Sequence, residues 1–264
     1  MTPAAPARHD WLAFYVLCMG VLMIVLDTTI VNVALPSIKA DLGFSETALA
    51  WVVNAYMLTY GGFLLLAGRL GDLLGHRRVF LLGLAAFTVA SLLCGLATSQ
   101  RMLVVARAAQ GLGGAVVSAV ALSLIMDLFT APADRARAMG IYGFVCAGGG
   151  SVGVLLGGLL TSTLSWHWIF LVNLPIGVLV ALATLRLVPA TRKPFEGRLD
   201  VAGAASVTLA LTLAIYAVVH GNEAGWTSPA TLGVLAVALV LLVAFVTIEA
   251  RIRAPLIPLG LFRH

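Results

Sequence analysis

Gly68-Arg69-Leu70-Gly71-Asp72-Leu73-Leu74-Gly75-His76-Arg77-Arg78 is a charged, glycine-punctuated stretch set between two long apolar segments. A short hydrophilic turn between membrane helices keeps its cations on the cytoplasmic side, and its glycines let the two helix ends approach closely. On either side the sequence stays apolar for about 20 residues, the length that crosses a hydrocarbon core. The flanking spans are 48–67 and 79–98. Working outward, further spans read at 11–34, 102–126, 138–163, 168–187, 199–219 and 229–248. The fold class predicted is all-α integral membrane: a six-helix bundle over 1–187, then a linker, two additional transmembrane helices and a tail over 188–264.

Composition agrees with this class. Hydrophobic residues make up 61% of the 264 and charged residues 10%, where a soluble domain carries about 25% charged residues. The mean hydropathy is +1.05. An even number of spans puts both termini on one side, and the cations say which. With the N-terminus inside, only Lys39 and Arg101 of the 16 Lys and Arg fall outside and Arg107 lies within a span. Positive loops are retained in the cytoplasm, so a multi-pass protein of the cytoplasmic membrane with both termini cytoplasmic is expected. The formal charge of +5 is spread over the inner loops as Arg8, Arg69, Arg77, Arg78, Arg135, Arg137, Arg186, Arg192, Lys193, Arg198, Arg251, Arg253 and Arg263. It forms no basic stripe, so nucleic acid is not an expected partner.

Cys18, Cys94 and Cys146 lie inside spans without paired spacing, which argues against a disulfide framework or a zinc site. The five histidines are scattered without metal or triad spacing. No metal, cofactor or enzymatic chemistry is expected. Trp166, Trp168 and Trp226 sit near outer boundaries, as interface anchors do.

Chemistry concentrates at two places. Asp27, in Leu26-Asp27-Thr28-Thr29-Ile30-Val31-Asn32, is a carboxylate inside a span, which costs about 2.5–3.5 kcal/mol on insertion scales and marks a functional site. At ~100° per residue Thr28 and Asn32 share nearly one side and Asp27 lies one step round. In span 4, Arg107, Gln110, Gly111, Gly114 and Ser118 follow helical spacing on one face. Asp27 lies seven residues in from Ala34, and Arg107 five residues in from Met102. At ~1.5 Å per residue these are similar depths, so the two charges are expected to pair. An arginine beside a carboxylate favours its ionised form, and withdrawing the arginine favours uptake of a proton. Such a pair is a coupling switch.

Asp27, Thr28, Asn32, Gln110 and Gly111 are the expected lining of a substrate cavity. In span 5, Gly149, Gly153 and Gly157 recur every four residues and predict a smooth seam for a neighbouring helix. Asp72 reads as a residue just ahead of span 3, favoured by that helix's dipole and by arginine contacts.

Together these residues resemble the major facilitator superfamily, and within it the fourteen-helix drug:proton antiporter branch. The Gly68 to Arg78 stretch resembles the signature between helices two and three, Arg107 to Gly114 that of helix four, and Gly149 to Gly158 the antiporter signature of helix five. Asp27 to Pro36 and Trp166 to Gly177 resemble the helix-one and helix-six signatures, and Asp200 to Gly203 fits the start of that branch's inserted pair.

The resemblance implies proton-coupled efflux of lipophilic or cationic drugs, with Asp27 as coupling or cation-recognition site and Arg107 as proton relay. It implies a cytoplasmic gate at Gly68, Asp72, Gly75 and Arg77, and adds Gly158 to Gly153 and Gly157 as the flexible helix-five seam. Leu73 and His76 stand where the pattern has basic residues, and Val154 where it has proline. The implied partners are membrane lipid, a small lipophilic or cationic substrate, protons, and a C-terminal six-helix bundle absent from these residues. Facilitated diffusion or uptake of a small metabolite, or a non-transporting truncated partner, are the alternative expectations.

Overall fold

A computed structural model describes residues 8–189 and 201–250. Arg192, Lys193, Arg198, Asp200 and the tail residues 251–264 lie outside the described residues.

Among the described residues the chain is helical throughout, with α1 Arg8–Leu42, α2 Glu46–Leu74, α3 His76–Gly95, α4 Gln100–Leu128, α5 Pro132–Thr163, α6 Trp168–Leu171, α7 Asn173–Leu187, α8 Val201–Ala224 and α9 Pro229–Glu249. Eight of the resulting segments are long and apolar enough to cross a membrane, α6 and α7 together forming one of them.

Local signals start several of these helices where the sequence has them. Ser45, Ser99 and Ser228 each accept a backbone N–H three residues on, satisfying one of the orphan donors of a first turn. Pro132 and Pro229 occupy first-turn positions, where the missing N–H costs nothing.

The quoted charged stretch folds differently from the turn expected. Helix α2 continues past Ala67 to Leu74, and Gly75 alone separates it from α3. Gly75 has φ +92°, a conformation that a residue with a Cβ rarely adopts. Gly71, within the stretch, serves packing instead. A Cβ on Gly71 would sit 2.8 Å from His76 Cδ2 and 3.1 Å from Val120 Cγ2. Helix α1 likewise runs beyond the expected span, through Pro36 to Leu42.

The first seven helices pack around α1 and α4, with α5 laid along α1 and α7 against α1 and α3. Helices α8 and α9 form a hairpin whose α8 leans on α2, where Gly61 and Gly62 leave room for Ile215 and Thr212. The apolar interior divides into two clusters. One gathers Phe14, Phe80, Phe87 and Phe129; the other gathers Ile30, Val52, Leu103 and Phe170.

Candidate functional site

Helices α1, α2, α3, α4 and the α6–α7 segment all cross from one apolar cluster to the other, and at that crossing lies a layer of polar side chains. Helix α1 contributes Asp27, α3 Ser91, α4 Arg107 and Gln110, and α7 Asn173, all of them buried. Arg107 and Asp27 meet at 2.6 Å between Nη1 and Oδ2, and each is 1% exposed.

The pair is embedded in further hydrogen bonds. Arg107 Nη1 also donates to Gln110 Oε1 at 2.6 Å, and Nε donates to the Val52 carbonyl of α2 at 3.0 Å. The other carboxylate oxygen, Oδ1, accepts from Gln110 Nε2 at 2.7 Å and Asn173 Nδ2 at 3.1 Å. Both amides also donate to Ser91 Oγ, at 2.8 Å and 3.4 Å. A buried ion pair is tolerated when remaining lone pairs and protons find partners, as both carboxylate oxygens and Arg107 Nε and Nη1 do here. The Tyr56 ring lies 4.2 Å below the Arg107 guanidinium, a cation–π contact.

The structure thus brings together Asp27, Arg107 and Gln110. Thr28 and Asn32 do not join them. Thr28 donates to the Val25 carbonyl and Asn32 to the Thr28 carbonyl, and Asn32 is exposed. Short polar side chains on a helix commonly satisfy themselves on the preceding turn in this way. Gly111 is buried because a Cβ there would collide with the Tyr56 carbonyl and Thr59 Oγ1 of α2. The five residues expected to share a cavity lining are therefore divided: three are buried between helices, while Thr28 is half-buried and Asn32 exposed.

Ser91, Asn173 and Tyr56 escape the sequence reading. Each is an ordinary residue within an apolar run, and three-dimensional packing alone places it beside the pair. The one available signal is Asn173, the single strongly polar residue between Phe170 and Leu182.

At the far end of α2 sits a second charged group. Asp72 lies in the last turn of α2 rather than ahead of α3, so its own helix dipole disfavours it. Arg69 at 3.4 Å and His76 at 3.1 Å meet its carboxylate instead, while His76 Nδ1 faces Asp127 at 3.1 Å. Arg77 turns away from Asp72 and donates to the Leu185 carbonyl near the end of α7, where a cation is favoured. Gly68 comes within 4.0 Å of Ala119 of α4 only by an added Cβ. Of the four residues expected together there, Asp72 and Arg77 are thus held by different partners.

The α5 seam is present at Gly149, Gly153 and Gly157, all buried against α1. An added Cβ would meet Leu22 and Val25 from Gly149, Thr29 from Gly153, and the Ile30 backbone from Gly157. Gly158 does not belong to it, since it has open space where a side chain would go; one residue further is about 100° round the helix. Trp166 is likewise no interface anchor. It is buried, and its indole N–H donates to Asp41 at 2.8 Å, whereas Trp168 and Trp226 are exposed.

A sequence profile described as Major Facilitator Superfamily matches residues 17–257. The chain is 43% identical over 260 residues to the puromycin resistance protein pur8 of Streptomyces alboniger, an alignment covering 98% of the chain and 51% of that protein. It is 46% identical over 253 residues to the cephamycin export protein CmcT of Amycolatopsis lactamdurans, covering 95% and 52% respectively. The multidrug resistance protein Stp of Mycobacterium tuberculosis is 42% identical, over 93% of the chain and 46% of its own length. The chain spans about half the length of these curated relatives. Among solved structures, the human organic anion transporter MFSD10 superposes with a TM-score of 0.61 at 20% identity, over 78% of the chain and 55% of that protein, a likeness of fold.

Proposed function

The chain belongs to the major facilitator superfamily, and on that premise we propose that it is the N-terminal portion of an exporter that expels a lipophilic or cationic compound against inward proton flow. Residues 1–187 serve as the first six-helix bundle and 188–264 as the linker, extra helix pair and tail. A second six-helix bundle, in keeping with the length of the relatives, completes the path. Both termini face the cytoplasm, which places the Asp72 and His76 end of α2 at the inner surface as the gate.

The observation that carries this reading is the fully buried Asp27–Arg107 pair. A carboxylate in the hydrocarbon zone with a single movable counter-charge exchanges that charge for a proton. While Arg107 holds Oδ2, that oxygen is occupied. As Arg107 withdraws, Asp27 takes up a proton, and the return of Arg107 expels it. The membrane potential supplies about 2.3 kcal/mol per charge per 100 mV, sufficient for concentrative export without nucleotide hydrolysis. The names of two relatives, a puromycin resistance protein and a cephamycin export protein, support outward movement of a drug-like compound.

The test is dye efflux into inverted membrane vesicles carrying the full-length transporter, with and without an imposed pH gradient. Gradient-driven transport is expected in the wild type and absent from Asp27→Asn. Wild-type gradient-driven transport by Asp27→Asn overturns the reading.

A further inference from the structure

The two oxygens of Asp27 are not equivalent, and the hydrogen bonds around them run in a fixed direction. Ser91 Oγ donates to the Phe87 carbonyl at 2.8 Å, so its single proton is committed. The Ser91 oxygen can then only accept, which orients the Gln110 and Asn173 amides with their NH₂ groups toward it. The same NH₂ groups donate to Asp27 Oδ1. Gln110 Oε1, on the other side of its amide, accepts from Arg107 Nη1. One serine proton thereby fixes which way the Gln110 and Asn173 amides face.

On this basis we propose that Asn173 is a positioning residue that reserves Oδ1 of Asp27, so that the exchangeable proton lands on Oδ2 alone. The inference rests on the coupling role assigned to Asp27 above. A proton placed on Oδ1 would face two N–H groups with no acceptor among them. A proton placed on Oδ2 occupies the position that Arg107 Nη1 vacates, and the carbonyl oxygen left behind, Oδ1, keeps both amide donors. Protonation and arginine binding therefore exclude each other at one atom, which gives one-for-one exchange. Asn173 also ties this selectivity to α7, whereas Arg107 is anchored on the Val52 carbonyl of α2.

The experiment is infrared difference spectroscopy between low and high pH on the lipid-reconstituted full-length transporter, with Asp27→Asn as the blank that assigns the Asp27 band. In the wild type the protonated-carboxyl C=O stretch is lowered by amide bonds to Oδ1. Asn173→Leu, which keeps bulk and removes the donor, is expected to move that band to higher frequency. Ser91→Ala, which keeps the backbone and nearly all the volume, is expected to move it the same way by less, and covers the case in which Asn173→Leu does not fold. A band that neither variant moves overturns the assignment, because the carbonyl oxygen would then be Oδ2. Absence of any Asp27-dependent band at every pH overturns the coupling role itself, and this inference with it.

Discussion

Two of the groups of opposite charge among the described residues are each built around an aspartate and an arginine. At the polar layer, Asp27 and Arg107 are each 1% exposed and bonded to each other, to the side chains of Gln110 and Asn173, and to a backbone carbonyl. At the end of α2, the Asp72 side chain is 42% exposed and shares His76 and Arg69. The difference teaches that burial, not residue type, sets what an ion pair is worth. Water screens Asp72, so its partners can exchange at little cost. Asp27 is buried and held by protein donors, so any change of partner there is a change of state.

Breaking the buried pair is expected to have the largest effect. Arg107→Met leaves Asp27 without its counter-charge and should lower stability by about 3–5 kcal/mol, read as a fall in thermal unfolding midpoint in detergent. The double variant Asp27→Asn/Arg107→Met should recover much of that loss, because no uncompensated charge remains. No recovery in the double variant would show that the pair's value is packing and not charge.

The α5 seam gives an intermediate case. Gly153→Ala drives a methyl into Thr29 of α1 and should cost about 1–3 kcal/mol. Gly158→Ala, in open space, should be neutral or stabilise by up to about 1 kcal/mol through helix propensity. Equal effects of the two substitutions would dissolve the distinction between the packed and open faces of α5.

The smallest effect belongs to the exposed group. Asp72→Asn should change stability by about 0.2–1 kcal/mol, and the change should shrink with added salt. A salt-independent loss as large as that of Arg107→Met would place Asp72 in the same class as Asp27.

Much of the architecture was legible from the sequence because a bilayer demands long apolar spans and penalises charges inside them. Asp27 and Arg107 announce each other by depth alone. The four-residue period of Gly149, Gly153 and Gly157 is visible because close packing needs small residues on one helix face. Asn173 and Ser91 were not legible, since a lone amide or hydroxyl is tolerated in many helical positions and only the fold aligns them on Asp27 Oδ1. The charged stretch misled for a related reason. Polar residues and glycines suggest a loop, yet Gly71 is there to let α4 and His76 approach, and the backbone stays helical through Leu74. Trp166 shows the same limit, as Asp41 buries it by a contact far apart in sequence.

Gly75 joins a 29-residue rod to a 20-residue rod through a single residue. Such a linkage has two soft torsions and no slack, so α3 cannot slide lengthwise past α2; it can only pivot. Because the rods are long, a few degrees of rotation at that fulcrum become a displacement of about 2 Å at the far tip of α3, at ~1.5 Å of lever arm per residue. Among the described residues, this one-residue joint between two full spans is thereby a direct transmission from one to the other.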